Sequence, residues 1–155
     1  MKVRLSFLLF SLILSSFIMF AQDPKNATIS WIDANAESIK RINKNIWTYA
    51  ETGLQEFKSS KELVDFLKSN GFAVETGSAG MPTAFMASYG SGSPVIGILA
   101  EYDALPGLSQ DISPERKERP GTNAGHGCGH SVFGTASTSA AIAVKKAMES
   151  GKIKG

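Results

Sequence analysis

The chain has 155 residues, of which 43% are hydrophobic and 19% are charged. This composition is typical of one globular domain and excludes a mainly disordered chain. The formal net charge is only +2, and it is accounted for by Lys2 and Arg4 near the N-terminus. The rest of the chain is balanced in charge, so the sequence predicts no nucleic-acid partner.

Residues 1–21 have the layout of a secretory signal peptide. Lys2 and Arg4 precede an apolar run from Leu5 to Phe20, and Ala21 offers a small residue for cleavage. The run is short for a membrane span, so an uncleaved anchor is the weaker alternative. We therefore expect export to the periplasm or the exterior, with no stable membrane insertion after cleavage. Residues 22–155 form the globular part.

Two helices are predicted in the first half of this part. Apolar residues recur every three or four positions over residues 29–50, which indicates one helical stripe. A second helix is predicted to start at a capping box formed by Ser59 and Glu62. Asn70 and the glycine after it are a typical helix end.

Strand patterns follow, and a third helix comes after them. Residues 72–75 and 83–89 are predicted to be short strands. The continuous apolar run at 95–100 is typical of a strand buried on both faces, and therefore predicts a sheet covered by helices. The charged stretch 108–120 is interpreted as a solvated loop. Residues 131–150 are rich in alanine, serine and threonine and predict the last helix, so the fold class is α/β.

A glycine-rich stretch contains both histidines and the only cysteine, at His126, Cys128 and His130. Thiolate and imidazole are common zinc ligands, and glycines let the backbone bend so that nearby side chains converge. The stretch comes directly before the last predicted helix. The dipole and free N–H groups at that helix start favour an anionic thiolate. Cys128 and His130 are therefore predicted to bind a metal ion.

Two carboxylates, Glu101 and Asp103, come directly after the predicted buried strand. Ligands bind at the carboxyl ends of strands in open α/β sheets. Either acid could therefore supply an oxygen ligand or hold another ligand in place. An ordinary solvated loop is an equally good interpretation of these two acids taken by themselves.

Two other chemistries could use the same glycine-rich stretch. Cys128 could be a nucleophile with a histidine base, although a partner two residues away gives an awkward geometry. The glycines at 125, 127 and 129 could cradle a phosphate. That interpretation is weak, because a dinucleotide fingerprint needs a strand directly before it and an acid after it.

Three motifs resemble those of a family of metal-dependent amidohydrolases and metallopeptidases. The family includes aminoacylases, hippurate hydrolases, auxin-conjugate amidohydrolases and p-aminobenzoyl-glutamate hydrolases, and the last group resembles this chain most. The motifs are WTYAETGLQE at 47–56, ILAEYDALPG at 98–107 and GHGCGH at 125–130, in the family's order. The resemblance covers residues 45–150.

The resemblance implies a three-layer, zinc-peptidase-like catalytic domain with two divalent metal ions, zinc or manganese, which activate a water molecule. At the matching positions Cys128 and His130 are implied metal ligands. Glu101 stands where peptidase members carry a ligand histidine, and Asp103 matches the catalytic acid beside the metal centre. The remaining implied site residues contact substrate, and these are His126 and Ser131.

The implied substrate is a small amide, an N-acyl or N-aroyl amino acid or a dipeptide, with p-aminobenzoyl-glutamate the best single expectation. The implied assembly of the complete enzyme is a homodimer. Family members continue into a pair of glutamates and a lid domain, so the chain is interpreted as the front portion of the catalytic domain, without the lid. A non-catalytic remnant that binds a metal or a partner is the alternative from another class.

Overall fold

The computed structural model describes residues 23–151 and 153–155, so the predicted signal peptide lies outside the described residues. The order of the elements is α1 Pro24–Tyr49, α2 Phe57–Ser69, β1 Ala73–Thr76, a 3-10 helix at Ser78–Gly80, β2 Phe85–Ser88, β3 Leu105–Pro106, β4 Ala124–Gly125 and α3 His130–Glu149. Across the described ranges, no helix is long and apolar enough to cross a membrane.

The first helix confirms the predicted stripe and begins a few residues earlier. Pro24 stands in its first turn, where a backbone N–H is not needed. Ile42 and Ile46 are its buried residues. The helix ends after Tyr49 because Ala50 adopts a left-handed backbone conformation with φ of 47°.

The second helix is also confirmed, but the predicted capping box is wrong. The helix begins at Phe57, so Ser59 lies inside its first turn and not at its cap. The carboxylate of Glu51 performs the capping: it accepts hydrogen bonds from two backbone N–H groups of that turn and from the Ser59 hydroxyl. The predicted end is confirmed, since Asn70 is the C-cap.

The strands form two small antiparallel sheets. β1 pairs with β2, with Ala73 opposite Ser88, and this hairpin confirms both predicted strands. β3 pairs with β4, with Leu105 opposite Gly125. This second pairing joins the segment that follows the two acids to the start of the glycine-rich stretch.

The apolar segment 95–100 is not the buried strand that its sequence predicts. It has no regular structure, and Val95, Ile96 and Leu99 are 89%, 78% and 76% exposed. A strand must pair its backbone N–H and C=O groups, and no strand of the described part pairs with this segment. The helices and small antiparallel sheets are compatible with the α/β class. The described residues contain two two-stranded sheets, so the predicted three-layer arrangement of a sheet between helices is not confirmed.

The core lies between the helices and the β1–β2 hairpin. Helix α1 packs on both α2 and α3, and Ile46, Leu63 and Ile142 are completely buried. Burying a side chain of this size stabilises a fold by about 1.5–3 kcal/mol. Three larger side chains pack against the centre of this core: Phe66, Phe85 and Tyr102.

Candidate metal centre

Glu101, Tyr102 and Asp103 lie in an extended segment in which successive side chains point to opposite sides. Tyr102 points into the core, where its ring stacks on Phe85 with a centroid distance of 5.8 Å. Its hydroxyl donates a hydrogen bond to the carbonyl of Thr83. The two flanking carboxylates therefore come to one side, and both of them contact the histidine that begins α3.

His130 is that histidine. Its Nδ1 lies 2.8 Å from Oδ1 of Asp103, and its Nε2 lies 3.1 Å from Oε2 of Glu101. One ligand atom from each of these three residues lies within 4.8 Å of the other two. Two carboxylates and an imidazole are a donor set that suits zinc or manganese. These residues could therefore hold a divalent ion, and the side chains are open enough for exchange, being 21% to 49% exposed.

Two glycines set the position of His130. Gly129 is the N-cap of α3 and has a left-handed backbone with φ of 75°, which glycine adopts without strain. Gly134 lies one turn further along the helix. A Cβ there would lie 2.9 Å from the Glu101 carbonyl oxygen and 2.9 Å from Cβ of Tyr102. A glycine at this position therefore lets the helix approach the acidic segment closely.

Cys128 and Ser131 flank this cluster without joining it. Cys128 is exposed in the turn before the helix, and that turn is closed by a 3.0 Å hydrogen bond from the Gly129 N–H to the His126 carbonyl. Ser131 is only 3% exposed, so a substrate would reach its side chain only if the start of the helix moved. Their roles as ligand and substrate contact stay predictions.

The ring of His126 is held by helix α1. Its Nε2 lies 3.1 Å from the carbonyl oxygen of Ile46, and because a carbonyl can only accept, Nε2 carries the hydrogen. Its Nδ1 is buried and has no hydrogen-bond partner among the residues that the structure describes. Burial lowers the pKa of His126 and outweighs the hydrogen bond to Ile46, which raises it. The ring is therefore neutral near pH 7, and its predicted contact with substrate stays a prediction.

The first motif, residues 47–56, connects helix ends instead of supplying ligands. Its Glu51 is the cap of α2. Glu56 is buried and accepts a hydrogen bond from the Thr83 hydroxyl at 2.5 Å. The ring of Trp47 lies against the guanidinium of Arg119, 4.2 Å from ring centroid to Cζ. The sequence gives no sign of this last contact, because Arg119 stands in a run of charged residues that is otherwise exposed.

Comparison with known proteins agrees with the motifs. Over 120 residues the chain is 47% identical to one of the subunits of p-aminobenzoyl-glutamate hydrolase from Escherichia coli (strain K12), and the match covers 76% of this chain and 25% of that protein. The resemblance to the amidohydrolase family is confirmed. No family model matches the chain.

Two further relatives are Xaa-Arg dipeptidases by name. The chain is 29% identical to the Mus musculus protein over 130 residues, which is 77% of this chain and 26% of that protein. It is 29% identical to the Homo sapiens protein over 132 residues, with 76% and 26% covered. The chain thus spans about a quarter of the length of the curated relatives that it matches.

Proposed function

We propose that this chain contributes the metal site of a metal-dependent amide hydrolase. The observation that carries the proposal is the cluster of Glu101, Asp103 and His130, whose ligand atoms lie within 4.8 Å of one another. All three stand in motifs that resemble those of the amidohydrolase family. The relatives cleave aminobenzoyl-glutamate or a dipeptide by name, which supports an N-acyl or N-aroyl amino acid as substrate, with p-aminobenzoyl-glutamate first.

A bound divalent ion would lower the pKa of a water molecule and polarise the amide carbonyl. The chain's own residues orient the ligand ring. If Nδ1 of His130 donates its hydrogen to Asp103 Oδ1, Nε2 keeps a lone pair that is free to bind metal. Oε2 of Glu101 lies 3.1 Å from that Nε2, so both atoms face the same position. Asp103 then holds the imidazole, and Glu101 supplies an oxygen.

The remaining parts of the proposal rest on the family resemblance and on sequence. Two ions, zinc or manganese, are proposed, with Cys128 as a further ligand and with His126 and Ser131 as substrate contacts. The signal-peptide layout of residues 1–21 in the sequence supports export without membrane insertion after cleavage. A homodimer is proposed for the complete enzyme, and the balanced charge of residues 22–155 supports a small-molecule partner over nucleic acid.

The experiment uses the protein purified as its own host expresses it. Its zinc and manganese contents and its release of p-aminobenzoate from p-aminobenzoyl-glutamate are measured together. His130→Ala and Glu101→Gln should each lose bound metal and activity. Glu115→Gln, which changes an exposed acid of the charged loop, is the matched control and should keep both.

Each other outcome would point to a different function. A His130→Ala protein that keeps the wild-type metal content contradicts the proposed site. Activity that persists after complete removal of metal by a chelator, and that disappears on thiol alkylation, would indicate a cysteine hydrolase. Metal binding by the wild-type protein without any hydrolysis would favour the non-catalytic alternative.

A further inference from the structure

The carboxyl end of α1 is held by two side chains that lie close to the metal centre in sequence. The last carbonyl groups of a helix have no partner inside the helix. Arg119 donates through Nη1 to the Trp47 carbonyl and through Nη2 to the Thr48 carbonyl, both at 2.9 Å. His126 lies 3.1 Å from the Ile46 carbonyl through Nε2. Arg119 therefore caps the Trp47 and Thr48 carbonyls, and His126 adds a second contact to the Ile46 carbonyl, which also accepts from the Ala50 N–H at 3.1 Å.

Arg119 is itself held on several sides. Its guanidinium stacks on the Trp47 ring, and its backbone N–H donates to the Ser109 hydroxyl oxygen at 3.0 Å. The Ser109 N–H in turn donates to the Asn123 carbonyl at 3.2 Å. A planar guanidinium can stack and donate two divergent hydrogen bonds at once, and a lysine cannot. Its positive charge also suits the negative end of the helix dipole.

The end of the connection between Arg119 and His126 is fixed by backbone pairing. Within it, Ala124 and Gly125 pair with β3. The backbone of Gly125 lies so close to the charged loop that a Cβ there would be 2.1 Å from the Leu108 carbonyl oxygen. A displacement of Arg119 from the helix end would therefore be passed on to the turn that carries Cys128.

We infer that Arg119 is a positioning residue for the metal centre: by capping α1 it sets where the turn 126–129 and His130 stand relative to the two carboxylates. This inference rests on the proposed function, because metal affinity is the property that Arg119 controls. Arg119 does not contact the ligand atoms in this arrangement. It acts through the helix end and the turn.

The test measures the zinc dissociation constant by competition with a coloured chelator, and the thermal midpoint of the metal-free protein beside it. Arg119→Ala should weaken zinc binding about tenfold, the scale typical for residues that orient metal ligands. Added guanidinium ion should restore part of the affinity. Arg119→Lys should bind zinc more weakly than the wild type, because lysine keeps the charge but cannot donate to both carbonyls as the planar guanidinium does. The matched control is Arg116→Ala, since Arg116 is exposed and its ion pair in the described part of the chain is with Glu118 at the surface.

The outcomes separate this inference from the proposed function. If the wild-type protein binds neither zinc nor manganese, the proposed function is overturned. If the wild type binds zinc and Arg119→Ala binds it equally well, only the role of Arg119 is overturned. A lower thermal midpoint of Arg119→Ala with unchanged zinc affinity also overturns that role, because Arg119 would then stabilise the fold without positioning the metal ligands. If Arg119→Ala does not fold, the zinc affinity of Arg119→Lys is the test: an affinity equal to that of the wild type overturns the role of Arg119.

Discussion

Gly134 lies one helical turn after His130, where the backbone of α3 touches the segment that carries Glu101. We expect Gly134→Ala to destabilise the fold although alanine is the better helix former. The higher helix propensity of alanine over glycine would by itself stabilise the fold by about 1 kcal/mol. The new Cβ would lie 2.9 Å from two atoms of that segment, and such overpacking costs about 1–3 kcal/mol. Urea unfolding should show a lower free energy of unfolding, and zinc binding should weaken.

The control for this change is Gly97→Ala. A Cβ at Gly97 meets no atom within 4 Å, so its effect should stay within about 0.5 kcal/mol. A Gly134→Ala protein that is as stable as the wild type and binds zinc equally well would show that the helix can move away from the acidic segment without consequence.

Glu51 is expected to stabilise α2 as its N-terminal cap. Its carboxylate accepts hydrogen bonds from the backbone N–H groups of Lys58 and Ser59 at 2.9–3.1 Å. Glu51→Gln removes the charge and one acceptor, so the free energy of unfolding should fall by about 0.5–2 kcal/mol. Glu37→Gln is the control in urea unfolding, because the contact of Glu37 among the described residues is an exposed ion pair with Lys40. Equal stabilities of the two variants would argue against the cap.

Cys128 should react with an alkylating reagent readily without metal and slowly with zinc bound. The thiol is exposed in the turn before α3, and a metal-bound thiolate is less available for reaction. The rate is measured by mass spectrometry with and without saturating zinc. An alkylation rate that zinc leaves unchanged would remove Cys128 from the ligands and leave Glu101 and His130, with Asp103 orienting the His130 ring.

Tyr102 should be the last tyrosine to ionise. Burial raises the pKa of Tyr102 from 10.0 to about 12, and the charge of Glu56 adds to the rise. Because the folded pKa is the higher one, the stability that the neutral phenol contributes is complete below pH 10 and is lost as the pH rises through about 12. Phenolate absorbance should show a late transition that Tyr102→Phe lacks and Tyr89→Phe keeps. A wild-type titration without a late step would contradict the burial.

The exposed apolar segment 95–99 should cause self-association of the chain when it is produced by itself. Unpaired extended segments with apolar side chains template contacts between molecules. Ile96→Lys should therefore lower the associated fraction in light scattering. Ile112→Lys is the control, because Ile112 is equally exposed, 79% against 78%, but stands in a charged loop. If both substitutions lower the associated fraction equally, the added charge explains the effect, and the apolar segment does not cause the association.

Local patterns in the sequence determined the three helices and the β1–β2 hairpin. Helical periodicity reports which face of a helix is buried, and Gly71, with φ of 79°, ends α2 because glycine adopts a left-handed backbone without strain. The family motifs also selected Glu101, Asp103 and His130, although the strand expected before the two acids is absent from the described residues.

Tertiary structure alone decided which distant groups meet. Ser59 has the sequence of a cap, yet Glu51 caps the helix, because the chain before α2 folds back onto its first turn. In the sequence Arg119 does not differ from its exposed charged neighbours. It is distinguished by its tertiary contacts with the ring and the carbonyl of Trp47. Residues 95–100 have the composition of a buried strand, but a strand forms only where a neighbouring strand pairs with its backbone. These outcomes depend on contacts between remote segments, which local sequence does not encode.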